Sequence, residues 1–253
     1  MSQSKQFDPH AYWEDRLRRY FSLRGTGSWS FSDEYNRMMY DLKVRALDDV
    51  LARVAIERKP IHVLNLGCGT GFFDDYFERR FQAEITGIDI SDYAISRLRE
   101  KHPSRVYWCG ELPRLVEEGK VASGDYDIVT AIDVLYHIVD PERFHDTFAQ
   151  LCRSVRDGGV LIFTDRLYSR GLQPAPHVTW HSLNQYTAML NERGFGLQAV
   201  RPMYWHFDNE RDLLYRFGKR MLNLMFLTDW YFARLRRFKD SMTMCCAQRI
   251  KAA

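Results

Sequence analysis

Hydrophobic and polar residues follow two different spacings along this chain, and the two alternate after about residue 60. Short aliphatic runs predict buried strands, at residues 61–66, 84–90, 106–109, 128–132 and 195–203. Between these runs, apolar residues three and four positions apart predict helices, and Asp140-Pro141 is typical of a helix N-cap and first turn. Strands that alternate with helices indicate a parallel sheet covered by helices on both faces.

The first part of the chain, residues 1–58, predicts a helical cap without strands. We expect a short helix over 12–21, a loop over 24–30 and a long helix that begins at Ser32 or Asp33. The apolar stripe of the long helix indicates core packing. The glycine-rich loop carries one tryptophan and suits a flap that closes over a site.

A second helical segment is predicted late in the chain, at about 208–239. Its apolar residues recur at helical spacings with Arg and Lys between them. Three interpretations stay open: helices that pack on the core or on a second copy of the chain, a lid over the substrate, or a surface helix that meets lipid or a lipid-like substrate. Asn223 and Thr228-Asp229 interrupt the apolar run, so it does not predict a membrane span.

The loop after the first strand is the most informative feature of the sequence. The run 63–66 leads into Gly-Cys-Gly-Thr-Gly at 67–71, and the next strand ends in Asp89, 22 positions after Gly67. Glycine permits a tight turn and leaves room for a ligand against the strand end. A carboxylate on the neighbouring strand can accept two hydrogen bonds from a ribose diol. The spacing therefore predicts a ligand that contains a nucleoside.

Three segments together resemble the class I S-adenosylmethionine-dependent methyltransferases. The G-x-G-x-G loop is similar to that family's first motif, residues 125–138 to its fourth strand and following turn, and residues 158–164 to its fifth strand. The resemblance implies an α/β fold with a doubly wound, Rossmann-like, seven-stranded and mostly parallel sheet over 59–253. It also implies a last strand at about 241–249 that inserts antiparallel, with 208–239 as an insertion before it.

The family's cofactor, S-adenosyl-L-methionine, implies a set of binding residues in this chain. The glycines lie beside its methionine and ribose portions, Asp89 holds the ribose, the residues after strand three lie near adenine, and those after strand four meet the methionine end. The predicted cofactor-binding residues are Asn65, Gly67, Cys68, Gly69, Gly71, Asp89, Ile90, Glu111, Leu112, Ala131 and Asp133. Many relatives have an acid where this chain has Asn65, which predicts a somewhat weaker hold on the cofactor's ammonium group.

The candidate catalytic residues are His137, Asp165 and His181. His137 follows strand four at the rim of the site, where a neutral imidazole can take a proton, or it forms only structural hydrogen bonds. Asp165 follows strand five and alternatively caps a turn. His181, like His177, lies in the following loop and alternatively has no role beyond lining it. No residue pattern predicts a metal site.

Composition changes this picture little. The net charge of +3 argues weakly against nucleic acid as a partner. We find no signal-peptide pattern at the N-terminus and no run near the about 18 to 20 apolar residues of a membrane span, so a soluble, cytoplasmic protein is expected, with a homodimer as one option. The five cysteines fit no zinc or redox spacing and predict reduced, buried thiols.

The expected reaction is O-methylation of a small-molecule hydroxyl, on a secondary metabolite or a sugar-like compound. N-methylation of a small molecule is the alternative, and so is a catalytically inactive protein that binds the cofactor and serves as a partner. An NAD-dependent oxidoreductase is disfavoured, because the loop lacks the G-x-G-x-x-G spacing and the chain lacks a Tyr-x-x-x-Lys pair.

Overall fold

A seven-stranded sheet in the order β3-β2-β1-β4-β5-β9-β8 forms the centre of the molecule. The computed structural model describes residues 7–56, 59–167, 172–204, 206–208, 219–232 and 241–251. Its strands are β1 His62–Leu66, β2 Glu84–Asp89, β3 Val106–Cys109, β4 Tyr126–Ala131, β5 Val155–Arg166, β6 Leu172–Ala175, β7 Val178–Trp180, β8 Phe195–Pro202 and β9 Met242–Arg249. Strands β1 to β5 are parallel, and β9 pairs antiparallel with both β5 and β8. The predicted fold class is confirmed.

Nine α-helices are described around the sheet, and several begin where the sequence predicts a cap. They are α1 Pro9–Arg19, α2 Leu23–Thr26, α3 Asp33–Leu51, α4 Phe72–Phe81, α5 Asp92–Lys101, α6 Leu112–Glu117, α7 Pro141–Ser154, α8 Leu183–Asn191 and α9 Lys219–Phe232. The side chains of Ser32, Ser91, Asp140 and Ser182 each accept a backbone N–H from the first turn of α3, α5, α7 and α8. Such caps satisfy amide groups that have no partner within the helix.

Both faces of the sheet are covered by packed helices. Successive side chains of a strand point to opposite faces, so Val63 belongs to the core beneath α3 and α4, and Leu64 to the core beneath α7 and α8. All four residues from Val63 to Leu66 are buried. This burial on both sides explains the continuous aliphatic runs of the central strands.

The structure differs from the sequence prediction in two connecting segments. The predicted loop 24–30 begins within the short helix α2. The region between β5 and α8 contains a hairpin of β6 and β7. The sequence does not predict it, because prolines such as Pro174, within β6, and Pro176, just after it, are unusual in strands. Of the predicted late insertion, the structure describes α9 and a 3-10 turn at His206–Asp208, and the remainder lies outside the described residues.

Among the helices of the described segments, none combines the length and the apolar character that crossing a membrane requires.

Candidate functional site

A cavity of about 1080 Å³ opens at the carboxyl ends of β1, β2 and β4. In doubly wound sheets, ligands bind at this edge, where the strand order reverses on either side of the first strand. Nine of the residues predicted for the site line the cavity: Gly67, Cys68, Gly69, Asp89, Ile90, Glu111, Leu112, Asp133 and His137. Five others do not: Asn65, Gly71, Ala131, Asp165 and His181.

The glycine loop lies against the cavity in a conformation that other residues rarely adopt. Gly67 and Gly69 have φ angles of +73° and +54°, in the left-handed region that costs glycine little. A Cβ atom on Gly69 would come 2.6 Å from Cγ2 of Thr26, closer than van der Waals contact permits. The Gly67 and Cys68 amides both donate to the Ile88 carbonyl oxygen, at 2.7 and 2.9 Å. The loop is therefore fixed to β2, and the missing side chain at Gly69 leaves room for Thr26 to pack on it.

Asp89 is the carboxylate at the tip of β2 and lines the same cavity. Its Oδ2 accepts a hydrogen bond from the Gly69 amide at 2.8 Å, and its Oδ1 accepts one from the Ser91 amide at 2.9 Å. Burial raises the pKa of this carboxyl group. Because an ionised carboxylate has about four acceptor positions, each oxygen retains capacity for one hydroxyl donor. A ribose diol fits this arrangement.

The far end of the cavity is lined by residues that follow β2 and β3. Ile90 and Leu112 supply apolar surface there, as an adenine ring requires. Glu111 lies at the rim, where its carboxylate pairs with the Arg143 guanidinium. The glycine loop, the Asp89 carboxylate and this apolar end together fit S-adenosylmethionine.

Asn65 lies beneath the glycine loop and is 2% exposed. Its amide nitrogen donates to Asp74 Oδ1 at 2.7 Å, and its amide oxygen accepts from the Thr130 hydroxyl at 2.8 Å. Burial raises the pKa of Asp74 to about 6. Both ends of the Asn65 amide are therefore used inside the protein, and the structure does not direct the side chain into the cavity.

Asp133, two residues after the end of β4, is held by an ion pair that the sequence did not reveal. Its carboxylate pairs with the ammonium of Lys43, a residue of α3. The same carboxylate accepts from the Thr164 hydroxyl at 3.2 Å, and the Lys43 ammonium lies 4.2 Å from the centre of the Tyr40 ring. The long helix α3 thus reaches the cavity, which Asp133 and Tyr40 both line.

The short helices α1 and α2 close over the glycine loop. Arg16 joins them, because its Nε donates to the Gly25 carbonyl oxygen at 2.6 Å. Thr26, which faces Gly69, accepts a hydrogen bond from the Tyr40 hydroxyl at 2.7 Å. Glu14 accepts from the Ser91 hydroxyl at 2.7 Å, directly beside the Asp89 strand end. Thr26 is therefore the residue of the predicted flap that covers the loop, whereas Trp29 is 57% exposed.

His137 ends a 3-10 turn after β4 and lines the cavity. Its Nδ1 lies 2.9 Å from the backbone carbonyl oxygen of His177. Because a carbonyl oxygen only accepts, Nδ1 carries the proton and Nε2 keeps the basic lone pair. Burial lowers the pKa of the imidazole to about 4. The Trp13 ring meets it edge-on, with ring centres 5.0 Å apart. The ring is therefore neutral at physiological pH and fixed in one tautomer.

Asp165 and His181 meet each other away from the cavity. Asp165 is fully buried, and its Oδ2 lies 3.0 Å from His181 Nδ1 and 2.7 Å from the Tyr186 hydroxyl. The His181 ring stacks on Phe144 with ring centres 3.9 Å apart. This cluster joins the end of β5 to the first turn of α8. Its contacts indicate that it stabilises the fold.

We expect the Tyr186→Phe variant to lose about 1 to 3 kcal/mol of unfolding free energy, because the buried Asp165 carboxylate loses a hydrogen-bond donor. Urea denaturation of both proteins measures the difference. The Tyr20→Phe variant is the control, since Tyr20 is 40% exposed. An unchanged unfolding free energy with a large loss of turnover would instead assign the cluster to catalysis.

Aromatic side chains form a large part of the cavity lining. The sequence offers six aromatic residues for an apolar or stacking pocket: Trp29, Tyr35, Tyr40, Trp180, Tyr204 and Trp205. Of these, the structure places Tyr40 in the cavity lining. Tyr35 and Tyr204 are buried, Trp180 packs on Tyr136, and Trp205 lies outside the described residues. Sequence reasoning missed four aromatic lining residues, Phe7, Trp13, Phe72 and Phe73.

Comparison with known proteins agrees with this geometry. The model of the methyltransferase domain family matches residues 35–200, which is most of the chain. The chain belongs to this family. The magnesium protoporphyrin IX methyltransferase of Synechocystis, solved with bound S-adenosylmethionine, superposes with a TM-score of 0.60 at 15% identity, over 98% of this chain and 100% of that one. The family and its cofactor, predicted from the glycine loop, are confirmed.

Two curated relatives of this methyltransferase domain are named as O-methyltransferases. A ubiquinone biosynthesis O-methyltransferase of Coxiella burnetii is 29% identical over 113 residues, which cover 43% of this chain and 45% of that protein. An O-methyltransferase of Pyrenophora dematioidea is 26% identical over 178 residues, covering 59% and 62%. The chain thus spans about half the length of the curated relatives it matches.

The same fold also carries other chemistry. The [4+2]-cyclase SpnF superposes with a TM-score of 0.56 at 18% identity, over 82% of this chain and 81% of that one. The fold alone therefore does not identify the reaction, which has to be argued from the residues of the cavity.

Proposed function

We propose that this methyltransferase domain transfers the methyl group of S-adenosylmethionine to a hydroxyl group of a small-molecule acceptor. The observation that carries the proposal is the neutral imidazole of His137 in the same cavity as the glycine loop and Asp89. A hydroxyl must lose its proton as it is methylated, and Nε2 of a neutral histidine accepts one. The names of the curated relatives support oxygen as the methylated atom.

The residues around the glycine loop would hold the cofactor. Gly67 and Gly69 would admit it close to the backbone, Asp89 would accept the ribose hydroxyls, and Ile90 and Leu112 would enclose adenine. The bound cofactor supplies a methyl group already activated on a sulfonium centre. The protein's task is then to orient the acceptor oxygen in line with that group and to exclude water.

The acceptor would occupy the aromatic part of the cavity. Trp13, Tyr40, Phe72 and Phe73 line it, and they offer flat apolar surface to a planar or apolar molecule. Trp13 belongs to helix α1, so this helix forms part of the lining. An aromatic or otherwise apolar hydroxyl compound is the acceptor class that matches this lining.

Methyl transfer from methyl-labelled S-adenosylmethionine tests the proposal. The purified protein is incubated with matched sets of small phenols, aliphatic alcohols and amines, and mass spectrometry locates the label. We expect labelled methyl ethers, from phenols above all. Transfer to nitrogen alone would contradict O-methylation and favour the N-methyltransferase. Binding of S-adenosylhomocysteine without transfer to any acceptor, including those in a fractionated cell extract, would favour an inactive partner protein.

A further inference from the structure

The helix α9 carries apolar side chains on two opposite faces. Its inner face attaches to the body of the protein through Met225, which is 1% exposed, and through Asp229. The Asp229 carboxylate accepts the backbone amides of His206 and Phe207, at 3.0 and 3.2 Å. The Arg45 guanidinium lies 4.6 Å from the centre of the Trp230 ring. These contacts fix the orientation of the helix, so its other face is directed away from the core.

The outer face presents large apolar side chains to solvent. Leu224, Leu227 and Tyr231, at successive turns, are 54%, 60% and 66% exposed. At the sides of the helix, Trp230 and Phe232 are 41% and 45% exposed. Five of the ten exposed large apolar side chains in the described segments therefore lie on this one helix of 14 residues. Single exposed apolar residues are ordinary, but a contiguous group indicates an interaction surface.

Basic residues outnumber acidic ones in and around α9. Arg220 is exposed at its first turn. Between 208 and 240 the sequence has eight basic residues, Arg211, Arg216, Lys219, Arg220, Arg234, Arg236, Arg237 and Lys239, against five acids, Asp208, Glu210, Asp212, Asp229 and Asp240. Of these acids, Asp229 is buried on the inner face. The stretch of sequence that contains α9 therefore has a net positive charge.

We propose that the outer face of α9 docks on an anionic membrane surface, with Leu224, Leu227 and Tyr231 inserted between the headgroups. Tryptophan and tyrosine prefer the boundary between water and hydrocarbon. Basic residues around an apolar helix face are attracted to acidic lipids. A second copy of the chain fits this face less well, because it would bring two basic segments together. The proposal concerns attachment and is independent of the proposed reaction.

Co-sedimentation with lipid vesicles tests this surface on the full chain. Vesicles of phosphatidylcholine alone are compared with vesicles that contain phosphatidylglycerol. We expect the protein to bind the anionic vesicles, and the L227E/Y231E double variant to bind them about tenfold or more weakly, because it places two carboxylates where apolar groups insert. Salt should weaken the binding by the wild-type chain, since surface charges are screened.

The Ile250→Glu variant is the matched control, because Ile250 is an apolar residue outside α9 that is 65% exposed. We expect this variant to bind vesicles as the wild type does. Thermal midpoints and S-adenosylhomocysteine affinity of all three proteins confirm that folding is intact. Absence of vesicle binding by the wild type, equal binding to neutral vesicles, or undiminished binding by the double variant would each overturn the proposal. A wild-type dimer that dissociates in the double variant without any vesicle binding would also overturn it.

Discussion

The Asp89→Ala variant is expected to bind S-adenosylhomocysteine about 100-fold more weakly than the wild type, or not measurably. Two charge-assisted hydrogen bonds to the ribose would be lost, and each contributes about 1.5 to 3 kcal/mol. The substitution also frees the amides of Gly69 and Ser91, which the carboxylate now holds, so the glycine loop loses a support. Isothermal titration calorimetry measures the change in affinity directly.

The Asp92→Ala variant is the matched control for this experiment. Asp92 lies three residues further along the chain, its side chain is 74% exposed, and the cavity lining does not include it. We expect its affinity to stay near that of the wild type. The Asp89→Asn variant keeps one carbonyl oxygen, so its affinity for S-adenosylhomocysteine should lie between those of Asp89→Ala and Asp92→Ala. Wild-type affinity in Asp89→Ala would show that the carboxylate does not hold the ribose.

The His137→Gln variant is expected to lose about 10²- to 10⁴-fold in kcat, the usual contribution of general base catalysis. Glutamine can still donate a hydrogen bond to the His177 carbonyl oxygen, but it has no basic nitrogen for the acceptor's proton. S-adenosylhomocysteine affinity should change little, because Asp89 and the glycine loop are untouched. Steady-state kinetics and calorimetry on the same preparations separate the two effects.

The His177→Gln variant controls for disturbance of the hairpin. The His177 side chain lies near His137, with ring centres 6.1 Å apart, but the contact to Nδ1 is made by its backbone oxygen. We expect kcat to be retained in this variant. Equal losses in both variants would assign His137 to structural support of the cavity, and no loss in His137→Gln would remove it from catalysis.

The pH dependence of turnover follows from the lowered pKa of His137. With a pKa of about 4 in the folded protein, the base form persists well below the usual histidine value of about 6.5. The rate should therefore fall only as the pH approaches about 4, wherever the protein stays folded. A rate that is half-maximal near pH 6.5 would contradict the assignment of the buried His137 imidazole as the base.

The lowered pKa of His137 also affects stability. In the unfolded chain this imidazole is protonated below about pH 6.5, so the unfolding free energy decreases progressively as the pH falls from there toward 4.

The sequence predicts well those features that depend on neighbouring residues. Gly67, Gly69 and Asp89 belong to one strand, loop, helix and strand unit, and their spacing alone brings them to one edge of the sheet. The caps Ser91 and Asp140 are equally local. These parts of the fold, and the place of Gly67, Gly69 and Asp89 in the cavity lining, could be predicted from the sequence.

Pairs between distant segments could not be predicted from pattern. Lys43 and Asp133 are 90 residues apart, and a lysine in an amphipathic helix ordinarily indicates an exposed face. Thr26 covers Gly69 because α1 and α2 fold back over the loop, and no spacing rule encodes that return. The sequence indicated Trp29 as the residue of a flap, because a sequence shows the size of a side chain but not the direction in which it points.

The end of a strand locates a residue but does not give the direction of its side chain. Asp165 lies in β5, one residue before its end, yet its carboxylate faces His181 and Tyr186 and does not line the cavity. Asn65 lies in β1 just before the loop, yet its amide is bonded inward to Asp74 and Thr130. Buried polar groups take whichever partners satisfy their hydrogen bonds, and those partners become known only when the chain is folded.

Calorimetric titration of the purified wild-type chain with S-adenosylhomocysteine, and in parallel with NAD, tests the central claim most directly. The cavity at the ends of β1 and β2 predicts saturable binding of the first compound at one site per chain and no binding of the second. Saturable binding of NAD, or a flat titration with S-adenosylhomocysteine, would contradict the account of this site.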